Sequence, residues 1–374
     1  MSGVGRRRPH ALNALRLGAL LLLLVLAAAP VVRAQEGRVV RVTVHGVSLE
    51  KNLTGESPDR AVSIYLPPSY DSAPPKHYPV VYLLHGIGDT DKEFTVEWTK
   101  QNDPWGTIAG VMNRGIAEGL FGEMIIVMPD EQTKMLGSFF TNSAATGNWE
   151  DFTTGDLVSY IDQHYRTLAR PESRGIAGHS MGGYGAIKLG MKRPDVYSVV
   201  YGMNPALLGW GGDVSVENPA LAPLFKMTTL DEAYAGGHYL MGAVAVAQAF
   251  SPNPNKPPFY ADLPFALVND KLVPAQPAYG KWEENFPLYM APRYKANLAK
   301  LRGIRFDTAW EDEFPHIPIT TRAFSHVLTD LGIAHTFEEY NGNHRNRMWG
   351  RTGRLHTHVL PYFWLLLDAG NGKR

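Results

Sequence analysis

From Tyr78 to Leu84 the chain reads Tyr-Pro-Val-Val-Tyr-Leu-Leu, almost wholly apolar, and then halts at His85-Gly86-Ile87-Gly88-Asp89. A short apolar run without alternation, closed by turn residues, is the pattern of a strand buried on both faces. Glu123 to Asp130 repeats it, Tyr197 to Met203 gives another strand, Gly303 to Ala309 resumes strand character, and Ala334 to Tyr340 reads as a last strand. Arg38 to Leu49 alternates instead, with Val40, Val42 and Val44 on one side, and so does Ala61 to Leu66. With the turn-rich Asn52 to Asp59 between them, these two stretches predict an antiparallel hairpin at the edge of a larger sheet. Helical spacing joins Leu157, Tyr160, Ile161, His164 and Tyr165. It recurs from Ile319 to Leu331, with Phe324, Val327, Leu328 and Leu331 on one face, and in a closing segment with Leu360, Phe363, Trp364 and Leu367. Buried strands alternating with amphipathic helices predict an α/β fold, a mostly parallel central sheet flanked by helices.

The alternation breaks off between residues 204 and 300. This stretch holds a glycine turn at Trp210-Gly211-Gly212, a helical run from Gly237 to Phe250 and a proline-rich segment from Ser251 to Pro264. It does not read as sheet, and it is expected to form a lid-like insertion above the carboxyl ends of the strands, where such folds bind ligands. Its aromatics, Trp210, Tyr239, Phe265 and Trp282 among them, suit either an apolar pocket or ordinary packing.

Residues 1–34 differ from everything after them. Arg6-Arg7-Arg8 and Arg16 precede an apolar stretch from Leu17 to Ala29, and Val32-Arg33-Ala34 fits a signal-peptidase site. The stretch is broken by Pro30 and falls short of the ~20 residues a spanning helix needs. A signal peptide cleaved after Ala34 is therefore expected, with residues 35–374 secreted or periplasmic and no stable membrane anchor.

Lysine plus arginine balance aspartate plus glutamate at 36 each, so no net field draws the chain to nucleic acid or an anionic membrane. The chain has no cysteine, which excludes disulfides, thiolate metal sites and a cysteine nucleophile.

The chemistry concentrates at Gly178-His179-Ser180-Met181-Gly182, a G-x-S-x-G sequence between the strand-like Gly175-Ile176-Ala177 and a helical pattern. In that setting the five residues make a sharp strand-to-helix turn that exposes a serine above the sheet. A side chain at either glycine would collide with the neighbouring strand or helix. Ser180 is the expected nucleophile. The amide of Met181, directly after it, is one expected oxyanion donor, and the amide of Ile87, between Gly86 and Gly88, is the other.

A serine hydroxyl needs an adjacent base, and the base an orienting carboxylate. His344, in the Asn341-Gly342-Asn343-His344 loop after a strand, fits the base better than His316, His326, His335, His356 or His358. Asp312 follows another strand end and completes the chain order Ser, acid, His, while its neighbours Glu311 and Glu313 remain open alternatives. Trp149 and Glu150 suit either a substrate cleft or the hydrophobic staple and cap of the helix after them.

These stretches together resemble the α/β-hydrolase family that includes S-formylglutathione hydrolases of the esterase D type, feruloyl and acetylxylan esterases, and mycolyltransferases of the antigen 85 type. The resemblance rests on Tyr82-Leu83-Leu84-His85-Gly86, Asn148-Trp149-Glu150-Asp151-Phe152, the serine turn, Glu311-Asp312-Glu313-Phe314 and Gly342-Asn343-His344. It implies the α/β-hydrolase fold, Asp312 as the acid, His344 as the base, and the Ile87 and Met181 amides as the oxyanion hole. It further implies a serine carboxylic-ester hydrolase working through an acyl-enzyme on a small or polysaccharide-linked ester, with no metal or organic cofactor. An acyltransferase using the same triad is the alternative; a serine peptidase or a non-catalytic binding protein fits less well. Two departures stand out: Asn346 occupies a position where many members carry tryptophan, and the 204–300 stretch has no counterpart in shorter members. Substrate and oligomeric state stay undetermined at this level.

Overall fold

A computed structural model describes residues 3, 35–96, 103–269 and 271–370. Apart from Gly3, the expected signal peptide lies outside these residues. From Glu36 onward the chain forms one compact unit.

Eight strands build the central sheet: β1 (Arg38–His45), β2 (Asp59–Leu66), β3 (Val80–Leu84), β4 (Ile125–Pro129), β5 (Arg174–His179), β6 (Val199–Met203), β7 (Gly303–Ala309) and β8 (Thr336–Tyr340). Their spatial order is β1-β2-β4-β3-β5-β6-β7-β8. β2 pairs antiparallel with both β1 and β4, and every other pairing is parallel. The edge hairpin and the later strands are therefore where the pattern expects them, although β8, at the far edge of the sheet, is only partly buried.

The apolar runs are explained by burial on both faces. Val80, Tyr82 and Leu84 of β3 join one core cluster, and Val81 and Leu83 join the other. On the first face lie α2 (Leu157–His164), α3 (Met181–Lys192) and α5 (His316–Asp330); between the last two in sequence comes α4 (Gly237–Phe250). The opposite face is covered by α1 (Ile108–Ala117) and α6 (Leu360–Leu366). α5 starts at His316, three residues before the sequence pattern suggests, because Pro318 in a first turn has no amide to lose there.

One row of the sheet register, Leu84–Gly178–Gly202–Phe306–Phe337, runs across five parallel strands. The carboxyl ends of β3, β5, β6, β7 and β8 therefore all emerge at one edge, and the loops holding Ile87, Ser180, Asp312 and His344 share that edge.

The 204–300 stretch contains a feature its sequence does not announce. Phe265–Val268 and Lys271–Pro274 pair as a small antiparallel hairpin, so part of the insertion is sheet after all. The runs are four residues each, too short for alternation to show, and Pro264 and Pro274 disguise them as loop. Much of the rest is held by stacked aromatics: Trp210 lies against Tyr279 at 4.5 Å and parallel to Trp282 at 5.6 Å.

Candidate active site

The turn after β5 forces Ser180 into φ 57°, ψ −116°, a region that L-residues avoid and that costs on the order of 1–3 kcal/mol. The surroundings hold it there. The Ser180 amide donates to the Met203 carbonyl at 3.0 Å, and its own carbonyl accepts from Tyr184 and Ala206 at 3.0 and 3.1 Å. Both flanking glycines are obligatory. A Cβ on Gly178 would lie 2.3 Å from the backbone of Gly182, and one on Gly182 would lie 2.1 Å from the Leu84 oxygen.

Asp312 and His344 meet at the ends of β7 and β8. His344 Nδ1 lies 2.7 Å from Asp312 Oδ2, and both side chains are nearly closed to solvent. The other oxygen of Asp312 accepts the Phe314 amide at 2.9 Å, so the carboxylate is fixed in orientation. An acceptor-only carboxylate places the proton on Nδ1 and leaves Nε2 as the basic atom. The neighbouring acid has a different partner: Glu313 accepts the main-chain amide of His344 at 3.0 Å. Among the alternatives open in the sequence, only Asp312 touches the imidazole among the described residues.

The backbone of His344 is held as firmly as its ring. Its carbonyl accepts from His179 Nε2 at 2.8 Å and from Asn204 Nδ2 at 2.9 Å. Asn204 also donates to Tyr340 Oη at 2.8 Å and accepts the Ala309 amide at 2.7 Å, tying together the ends of β6, β7 and β8. Burial, reinforced by the charges of His344 and Arg345, drives the His179 pKa down to about 3, so this imidazole is neutral.

The loop after β3 is pinned on both sides of Ile87. The Gly86 amide donates to Glu93 Oε2 at 2.7 Å and the Gly88 amide to the Leu136 carbonyl at 3.0 Å. His85 Nε2 accepts the Glu131 amide at 2.8 Å, which leaves its Nδ1–H to donate to the Gly86 carbonyl at 2.7 Å. A Cβ on Gly86 would sit 3.5 Å from Ser180 Cβ, so this loop runs directly beside the serine. Arg345 bonds Asp89 at 3.0 Å and ties the histidine loop to it.

Ser180, His344, Ile87 and Met181 all line one cavity of about 440 Å³. Its other walls are mostly apolar and come largely from the 204–300 stretch, including Leu224, Val246, Phe265 and Trp282. Trp149 and Glu150 are not part of it. The Trp149 ring is buried beneath the guanidinium of Arg60 at 5.0 Å and donates to the Thr146 carbonyl at 2.9 Å. Glu150 pairs with Lys192 at 2.6 Å. Neither residue lines the cavity that holds Ser180, and both pack at the start of a helix. Two cavity residues escaped the sequence reading of the site, Asp213 and His316; the turn before Asp213 and the competing histidine were visible, but not their pairing.

A family model described as "Putative esterase" matches residues 57–352. The chain belongs to this esterase family. Curated esterases from two strains of Mycobacterium tuberculosis are 34% identical over 137 residues, 35% of this chain. The chain spans 26% of the length of those relatives. Among solved structures, a ferulic acid esterase superposes with TM-score 0.60 at 22% identity, covering 89% of this chain and 99% of its own. An S-formylglutathione hydrolase from Agrobacterium tumefaciens gives 0.57 at 15% identity, over 90% and 97% of the two chains. A fluorophosphonate-binding serine hydrolase from Staphylococcus aureus gives 0.55 at 14% identity, over 89% and 100%. At these identities the structural likeness establishes the α/β-hydrolase fold that this esterase-family chain shares with them.

Proposed function

We propose that the protein is a serine carboxylic-ester hydrolase in which Ser180 is the nucleophile, His344 the general base and Asp312 its orienting acid. The observation that carries this reading is the 2.7 Å contact between Asp312 and His344 Nδ1 on the cavity that also holds the strained Ser180.

In this mechanism Ser180 Oγ attacks the ester carbonyl carbon while His344 Nε2 takes its proton. The Met181 and Ile87 amides stabilise the oxyanion; losing one such donor typically costs about 10² to 10³ in rate. Collapse of the tetrahedral intermediate breaks the bond to the alkoxy oxygen, which leaves with the proton from His344. Water, deprotonated by the same imidazole, then attacks the acyl-enzyme, and Ser180 departs reprotonated. Asp312 keeps its charge throughout and stabilises the imidazolium.

The apolar cavity walls favour an ester with an apolar acyl or alcohol portion, in line with the aromatic ester named for one structural neighbour. Residues 204–300 act as a lid on this reading, since they supply much of that wall. The expected signal peptide adds that the ester is met outside the cytoplasm.

Hydrolysis of aryl esters from acetyl through octanoyl to feruloyl, compared between wild type and Ser180→Ala, tests the reading. At least one ester should be turned over, with a loss of roughly 10³-fold or more in the variant. Equal activity in the variant would remove Ser180 from the mechanism. Added glycerol or trehalose in the same assay reports acyl transfer, the alternative use of the same triad.

A further inference from the structure

The cavity beside Ser180 contains a second imidazole–carboxylate pair that the mechanism does not use. His316 opens α5, and Asp213 follows the Gly211-Gly212 turn of the insertion, 103 residues earlier. Both line the cavity. Asp213 Oδ1 accepts from His316 Nδ1 at 2.8 Å and from the His316 amide at 2.9 Å. Burial alone would raise the Asp213 pKa, but its bonds to His316 outweigh this and hold it below the usual carboxylate range. An ionised carboxylate can only accept, so Nδ1 carries a proton, and in the neutral ring Nε2 is then an acceptor.

That acceptor is the unexplained feature. His316 is 6% exposed, and its Nε2 is buried with no hydrogen-bond partner among the described residues. Capping of α5 accounts for Asp213, and for one ring nitrogen, but not for Nε2. A buried acceptor without a partner is costly, and an apolar side chain of similar shape would avoid the cost. Val214, Phe314 and Ile317 line the cavity with it, and the polar side chains of the same lining, Tyr239 and His344 among them, make no hydrogen bond to Nε2.

We propose that His316, locked by Asp213, is a specificity-determining residue that accepts a hydrogen bond from a hydroxyl group on an otherwise apolar ester bound in the Ser180 cavity. The substrate class rests on the ester-hydrolase reading; the hydroxyl recognition does not. A neutral imidazole whose partner proton is fixed discriminates a hydroxyl from an ether or a hydrocarbon, because only the hydroxyl donates. A site built to bond a substrate hydroxyl rejects the analogue lacking it, since the buried acceptor is then left bare.

The test uses matched esters: methyl ω-hydroxyalkanoates of short, medium and long chain against methyl alkanoates, and methyl para-hydroxycinnamate against the cinnamate and para-methoxycinnamate. Two readouts are taken, kcat/KM in the wild type and calorimetric binding to Ser180→Ala, which needs no turnover. At one hydroxyl position or more, the hydroxy ester should be favoured roughly ten- to hundredfold in both. The ratio should collapse towards one in His316→Phe and shrink in Asp213→Asn, which keeps an acceptor for the α5 cap. Turnover without any hydroxyl preference, or the same preference in His316→Phe, overturns the proposal and leaves the hydrolase reading intact. Hydroxyl-dependent binding that His316→Phe abolishes, in a protein that hydrolyses no ester, supports the proposal and sinks the hydrolase reading instead. Absence of both binding and turnover overturns both.

Discussion

His179 donates from Nε2 to the main-chain carbonyl of His344 across 2.8 Å, so the residue before the proposed nucleophile holds the backbone of the proposed base. The rings lie 4.6 Å apart, and Asn204 adds a second bond to the same carbonyl. Two side chains from the ends of β5 and β6 thereby fix a loop that comes after β8. Misplacing a catalytic group by about 1 Å can cost 10²-fold in rate. His179→Leu and Asn204→Leu are therefore expected to lower kcat by roughly 10- to 100-fold with KM little changed. A rise in KM with kcat intact would show that these residues serve binding rather than alignment.

The triad reading makes a sharper demand on three adjacent acids. Asp312→Asn is expected to reduce kcat/KM by about 10² to 10⁴, because an amide can present its NH₂ to Nδ1 and favour the wrong tautomer. Glu311→Gln should have little effect, and Glu313→Gln an intermediate one through the His344 amide that it accepts. Steady-state kinetics on a single ester rank the three. Equal losses at Asp312 and Glu313 would remove the distinction.

At the serine turn, glycine substitutions should divide by what a Cβ would meet. Gly182→Ala places a methyl group against the Leu84 carbonyl, and Gly178→Ala places one against Gly182 itself, so neither variant should yield the native fold. Gly88 has φ +81° and nothing within 4 Å, so Gly88→Ala should cost only the left-handed penalty, about 1–2 kcal/mol. Circular dichroism and thermal melting separate these outcomes.

Two buried groups should give stability a pH dependence of opposite sign. Glu131 is wholly enclosed, and burial, only partly offset by bonds from Thr153 and Ser138, pushes its pKa from 4.5 to about 8. The folded protein then keeps a proton that the unfolded chain has released, so this contribution falls as pH rises from 4.5 to 8. Lys188 donates to Thr141 and Asn285, and burial lowers its pKa from 10.5 to about 7. Here the unfolded chain binds the proton that the folded one has lost, so the contribution grows as pH rises from 7 to 10.5. Denaturation midpoints across pH should flatten in the first window for Glu131→Gln and in the second for Lys188→Met. A wild-type slope retained in either variant would show that its group does not titrate there.

The insertion wall can be probed by size. Val246 lines the cavity from α4, and Val246→Phe should reduce kcat/KM for octanoyl esters by at least roughly tenfold more than for acetyl esters. Equal losses would mean that the long chain binds elsewhere.

Most of the sheet was legible in the chain, because burial on both faces leaves a continuous apolar run and burial on one leaves alternation, and both are written in neighbouring residues. The sequence also determined the serine turn, since a backbone this tight admits only glycine at 178 and 182. What it left open depends on residues far apart in the chain. Glu311, Asp312 and Glu313 are equivalent in composition, and only the meeting of β7 and β8 turns Asp312 onto the imidazole and Glu313 onto its amide. Trp149 beside an acid looks the same in sequence wherever it packs, and only the tertiary structure sets it under Arg60 of β2. The small hairpin of the insertion shows no period in runs of four. The pairing of Asp213 with His316 across 103 residues has no local signature at all, since a hydrogen bond between distant side chains exists only once the backbone has brought them together.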